Sequence, residues 1–150
     1  MFARAVIAFL TLPGVVALLI PALIGMDERG AGGRFNVGGV APLLAGFTLL
    51  LWCVHDFYVA GKGTLAPWSP PRHLVTAGLY RYSRNPMYIA VTLMLGGWTV
   101  CFWSLTLATY AVLVLLGFHL RVVFGEEPWL ARTHGRQWDE YKSRVPRWLL

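Results

Sequence analysis

Two adjacent carboxylates, Glu126 and Glu127, close a long apolar run, and a second polar cluster stands upstream of that run, from His73 to Tyr88. A carboxylate pair can hold a cationic ligand, or one member can stay protonated and act as a base. The upstream cluster contains Arg84 and Asn85 leading into Pro86, a residue that suits the first turn of a helix because its missing N–H has no partner there anyway. Tyr80, Tyr82, Tyr88, Trp129 and Trp138 offer faces that stack on a planar ring or a positive centre. Beyond the glutamates a polar stretch runs to Tyr141-Lys142-Ser143-Arg144-Val145-Pro146-Arg147-Trp148. Plainer readings exist for each residue. Tyr and Trp at a membrane boundary anchor the interface, glutamates suit a helix start, and Arg and Lys contact headgroups. His119 reads as a packed histidine. His55 and Asp56 are stronger polar candidates, because ionisable groups inside an apolar span are costly and tend to be functional. The chain has no Gly-rich phosphate loop, Cys-x-x-Cys pair, His-x-x-x-His spacing or serine elbow, and no metal is expected.

These clusters must be positioned by apolar elements. The 150 residues are 57% apolar and 13% charged, about half the charge of a soluble domain. That composition excludes both a disordered chain and an ordinary water-soluble fold. An all-α integral membrane protein of one domain is expected. The first span is read at residues 3–25, interrupted by Pro13, Gly14 and Pro21. It is expected to be a retained helix, since no small-x-small cleavage site follows it. The second is read at 37–60. The stretch from Pro86 to Phe124 contains no acidic residue, and as one helix it would be about 58 Å long, nearly twice a bilayer core. It must turn back, and Cys101 to Ser104 is the expected corner, with Ser104 capping the new helix. A helical hairpin with arms 86–101 and 104–124 follows, then a C-terminal cytoplasmic helix. Cys53 and Cys101 lie inside apolar runs and are expected to pack as small buried residues.

Charge placement agrees with four crossings. Eleven basic residues, Arg4, the central-loop group and everything from Arg121 onward, then share one side, against Arg29 and Arg34 on the other. The positive-inside rule puts both termini and both polar clusters at the cytoplasmic face. Three crossings would divide the basic groups. The hairpin would bring the segments 73–88 and 126–148 together.

The two segments resemble the paired signature of the membrane methyltransferase family that includes isoprenylcysteine carboxyl methyltransferases and phospholipid N-methyltransferases. The first reads Gly78-Leu79-Tyr80-Arg81 and Arg84-Asn85-Pro86-Met87-Tyr88-Ile89-Ala90; the second reads Glu126-Glu127-Pro128-Trp129-Leu130, with Tyr141 and Arg144-Val145-Pro146-Arg147 also matching. Asn85 stands where the family often has His, and Ala90 where it often has Gly. An amide still hydrogen-bonds, but it does not titrate near neutral pH as imidazole does.

The resemblance implies S-adenosylmethionine as methyl donor, with S-adenosylhomocysteine as its product. Carried over by position, His73, Val75, Gly78, Tyr80, Arg84, Asn85, Pro86 and Tyr88 are expected to line the cofactor pocket, with Glu126 and Glu127 closing it. The acceptor would be a membrane lipid or lipidated substrate entering from the bilayer, not nucleic acid. For an amine acceptor of the phosphatidylethanolamine type, the favoured branch, Glu127 is the first candidate base. For a carboxylate acceptor, as in isoprenylcysteine methylation, Arg144 or Arg84 would orient it. A non-catalytic membrane adaptor or lipid-binding subunit is the alternative of another class.

Overall fold

The computed structural model describes residues 10–30, 32–60 and 73–149, and every regular element among them is helical. The expected start of the first span, residues 3–9, and the central-loop residues up to Arg72 lie outside the described residues.

The first span opens as a π-helical run, Leu10–Leu19, and tightens into α1, Ile20–Gly30. Proline explains the register change. Pro21 has no N–H, so it cannot bond the Ala17 carbonyl in α register or the Val16 carbonyl in π register. Both carbonyls instead accept from side chains of neighbouring helices: Trp98 Nε1 donates to Ala17 O at 3.0 Å and Tyr110 Oη to Val16 O at 2.9 Å. These two aromatics, which suit an interface belt by type, are fastened to a proline-broken backbone inside the bundle.

A single 3₁₀ turn, Val37–Gly39, capped by Asn36, leads into α2, Val40–Ala60. The hairpin arms are α3, Pro86–Phe102, and α4, Leu105–Arg121. Their corner falls where the sequence places it. Trp103 takes a left-handed conformation with φ 49°, and the Ser104 hydroxyl accepts the Leu107 N–H at 3.2 Å. The same hydroxyl donates to Glu28 at 2.7 Å, tying the corner to the end of α1.

α2 and α3 pack closest because small residues line the seam. A Cβ on Gly46 would stand 2.6 Å from the Ala90 carbonyl, and one on Gly97 2.7 Å from the Leu43 nitrogen. Glycine thus lets the two backbones touch, as in membrane helix pairs. Ala17, Leu50, Ala90, Val91, Met94 and Leu95 form the buried core along this seam. Cys53 and Cys101 are buried free thiols, as their apolar surroundings predict.

Among the described residues two helices are long and apolar enough to cross a membrane, Val37–Phe57 and Leu105–His134. α3 is apolar but shorter, and the first span lies only partly among the described residues. Both long helices leave most of their apolar surface outside the protein core; Leu105, Val112, Leu113, Leu116 and Phe124 of the second are exposed. A buried core helix of a soluble protein would not do this.

Helical structure continues past residue 124, where the fourth span is expected to end. A π turn, Val122–Glu126, carries α4 directly into α5, Glu127–His134. Pro128, at the start of α5, lacks the N–H that would bond back into the preceding turn, and a widened turn accommodates its ring. Gly135, at φ 48°, then breaks the chain before α6, Arg136–Arg144, so the single C-terminal helix of the sequence reading is two.

Candidate active site

Both polar segments lie at one end of the bundle. The upstream one forms a 3₁₀ turn, Gly78–Arg81, then runs extended into α3. Asp56, at the end of α2, holds that turn: its carboxylate accepts the Leu79 N–H at 3.3 Å. Gly78 sits at φ 60°, and a Cβ there would run into the Asp56 carboxylate, so glycine is required on both counts. Tyr80 is buried beside Phe57, with ring centroids 5.5 Å apart, and its carbonyl accepts the Tyr141 hydroxyl at 2.8 Å. Burial raises the Tyr80 phenol well above its ordinary pKa, so its hydroxyl stays protonated.

Glu126 ends the π turn and Glu127 opens α5. Neighbouring residues on a helix point about 100° apart, so each carboxylate meets different partners. Glu127 accepts from Arg84 Nη1 at 2.8 Å, and from Arg147 Nε at 2.8 Å and Nη2 at 2.9 Å. Burial pushes the Glu127 carboxyl up, but the Arg147 hydrogen bonds and the charges of Arg84 and Arg147 prevail and hold it below its ordinary pKa. Arg84 has a side chain only 9% exposed and lies 5.4 Å over the Trp138 ring. Burial lowers its pKa, with Glu127 opposing. Its buried Nε has no hydrogen-bond partner among the described residues.

Glu126 belongs to a second group. Its Oε1 accepts from the Tyr88 hydroxyl and from Arg121 Nε, the latter at 2.8 Å. Among the described residues its Oε2 accepts nothing. The Tyr88 ring lies against Phe118, with centroids 4.4 Å apart. An aromatic pair beside a carboxylate with a free oxygen is a suitable seat for a small cation.

The expected site residues divide accordingly. Arg84, Tyr88, Glu126 and Glu127 converge. Pro86 is buried at the first turn of α3, as expected, while Val75 and Tyr80 are buried behind the site. His73 is exposed. Asn85 is half-buried, and its amide Nδ2 donates to the Arg147 carbonyl at 3.0 Å. Arg144 is not brought to the glutamates. Its side chain is 74% exposed and turns to Glu140 on its own helix. The residue that reaches Glu127 is Arg147, because the helix stops at Arg144 and Val145 is extended, reversing the chain. The motif Arg144-Val145-Pro146-Arg147 carried that signal, and only the helix end decides which arginine faces inward.

A cavity of about 390 Å³ opens beside this site, between the upstream segment and α6; Thr76, Arg81, Glu140, Tyr141 and Arg144 are among its lining residues. None of the residues expected to bind cofactor lines it.

The phospholipid methyltransferase family matches residues 36–137, which span α2, the hairpin, both glutamates and most of the C-terminal helices' start. The chain belongs to the phospholipid methyltransferase family. No curated protein and no solved structure matches it. The family match contains every converging residue except Arg147, which lies past its end. Membership makes the chain a methyltransferase by family, and it agrees with the resemblance carried by the two motifs.

Proposed function

We propose that this protein methylates the amine of a membrane-embedded phospholipid of the phosphatidylethanolamine type, with S-adenosylmethionine as donor, at the end of the α3–α4 hairpin. The observation that carries the reading is the unequal environment of the paired glutamates in a chain of this family. S-adenosylmethionine, when bound, supplies a methyl group on a cationic sulfur that an amine lone pair can displace in line. The donor set suits it: the orphaned Nε–H of buried Arg84 fits a carboxylate, and the Tyr88–Phe118–Glu126 group fits a positive centre.

Glu127, pinned as an anion by two arginines, is poorly suited to the base role its sequence position suggests. Its work is to hold Arg84 and Arg147 in place. Glu126 is the better acceptor for the proton that the amine must lose, since among the described residues its Oε2 accepts no hydrogen bond. Holding the amine there orients it and removes water from it.

The topology that accompanies this reading is four crossings with the site at the cytoplasmic face. Ser104 and Glu28 meet at one end of the bundle while Asp56, Arg84 and Glu126 gather at the other, where Arg121 and Arg147 also pair with the two glutamates. Carboxyl methylation of an isoprenylcysteine-like substrate is the second reading, favoured by the Arg84 Nε, which has no partner among the described residues.

The test uses detergent-purified protein, methyl-labelled S-adenosylmethionine, and either phosphatidylethanolamine or a farnesylcysteine analogue in mixed micelles. Label in the phospholipid, lost in Glu126→Gln, is the expected result. Base-labile methyl ester on the cysteine analogue would establish the second reading. Absence of any S-adenosylhomocysteine binding would overturn both and leave a non-catalytic membrane component.

A further inference from the structure

Residues Val145–Trp148 leave α6 as a strap that crosses back over the start of α3. The strap is held by backbone and side chain together. The Arg84 N–H donates to the Pro146 carbonyl at 2.9 Å, and the Arg147 carbonyl accepts from Ser83 Oγ at 3.2 Å and from Asn85 Nδ2 at 3.0 Å. The Arg147 guanidinium then makes its two-pronged contact with Glu127. Trp148 closes the strap by stacking on His119 of α4, with centroids 6.2 Å apart. One residue, Arg147, thus has its carbonyl anchored at the upstream segment and its fork anchored at the glutamate.

We propose that the strap is a working part of the site: Arg147 positions Glu127, and Asn85 acts through Arg147 by holding its main chain in place. This rests on the methyltransferase reading and adds a residue lying past the family match. It also gives Asn85 a role of its own. An amide donates to a carbonyl at every pH, whereas an imidazole in that place would change its charge within the physiological range. Ser83 is buried and spends its hydroxyl on the same carbonyl while accepting the Asn85 N–H at 3.1 Å, so the three residues form one local lock.

The lock has a readable consequence. Glu127 is faced by Arg84 from the upstream segment, Arg147 from the strap and Lys142 from α6, with Glu126 beside it. Loss of the Arg147 contact takes away the hydrogen bonds that most strongly oppose its burial, so its proton affinity rises. A contact that only stiffened the fold would not move a titration.

The experiment measures S-adenosylhomocysteine affinity from acid to neutral pH for the full chain in detergent, as wild type, Asn85→Ala, Arg147→Gln and the double variant. In Arg147→Gln the acid midpoint of binding should rise by about one pH unit, the shift typical of losing a close opposite charge. Asn85→Ala should shift it in the same direction by less. The double variant should match Arg147→Gln alone, and Arg147→Lys should restore part of the shift. Additive shifts, or an Asn85→Ala midpoint equal to wild type, would overturn the proposal. Should Asn85→Ala fail to fold, Asn85→Leu, which keeps the size and loses the donor without adding a charge, takes its place. If wild type binds no S-adenosylhomocysteine, the methyltransferase reading fails. The lock is then read from thermal midpoints of the same unliganded forms, where non-additivity supports it and additivity overturns it.

Discussion

Deleting Glu127 should destabilise the protein far more than deleting its neighbour Glu126, although the two are adjacent and chemically identical. Glu127→Ala leaves Arg84, 9% exposed, and Arg147, 33% exposed, facing each other with no anion between them. Removing one partner of a buried ion pair costs about 3–5 kcal/mol, because the other charge stays desolvated. Arg84 falls in that regime, and its Nε lacks a partner among the described residues. Arg147 can turn toward water, which puts the total near the lower bound, about 3 kcal/mol. Glu126→Ala breaks a pair with Arg121, itself 49% exposed, a class of contact worth about 0–1 kcal/mol. It also removes the acceptor for the Tyr88 hydroxyl, about another 1 kcal/mol. The gap between the variants is therefore about 1–2 kcal/mol, or roughly 2–8 °C in thermal midpoint at ~2–4 °C per kcal/mol for a chain of this size. Circular dichroism melts in one detergent at neutral pH read it directly. Equal midpoints, or a lower midpoint for Glu126→Ala, would show that the arginine clamp is not the buried pair described. A second arm guards the interpretation: Arg84→Met combined with Glu127→Leu should recover most of the loss, because apolar residues of similar size often replace a buried pair without penalty.

Three other outcomes are expected. Stability should fall on acidification through Glu127: its folded pKa lies below the ordinary 4.5, so its contribution is complete above that value and fades as pH drops through the lowered one. Melts from pH 6 to 3 should show that slope in wild type and a shallower one in Glu127→Gln. Trp98→Phe and Tyr110→Phe should each cost about 1–3 kcal/mol by orphaning a carbonyl that Pro21 already leaves free, and Pro21→Ala should lessen both losses; unchanged losses in that background would refute the account. Gly78→Ala should be damaging through backbone strain and the Asp56 contact together, and Asp56→Ala should relieve the steric part without restoring wild-type stability, as judged by the same melts.

Hydrophobic pattern and punctuation were enough to read the second span and the hairpin. Val40–Ala60 and the corner at Trp103–Ser104 follow from local rules: an unbroken apolar run, and a serine able to cap the next helix. The residues of the polar clusters were legible by type for the same reason, since ionisable groups beside apolar spans are few. What local rules do not supply is direction. The π turn at Val122–Glu126 arises from one proline and turns Glu126 and Glu127 to different neighbours. The helix end at Arg144 turns Arg147 inward and leaves Arg144 at the surface. A helix can be recognised from its composition, but which of two like side chains meets a partner depends on a register shift of a single residue. The proline is local, but the partners that the shifted register meets come from segments remote in sequence, the upstream stretch and the strap. The amino-acid sequence alone determined the apolar helices, the hairpin and the family signature, while the division of labour between the paired glutamates, and the choice of Arg147 over Arg144, were decided only in the folded chain.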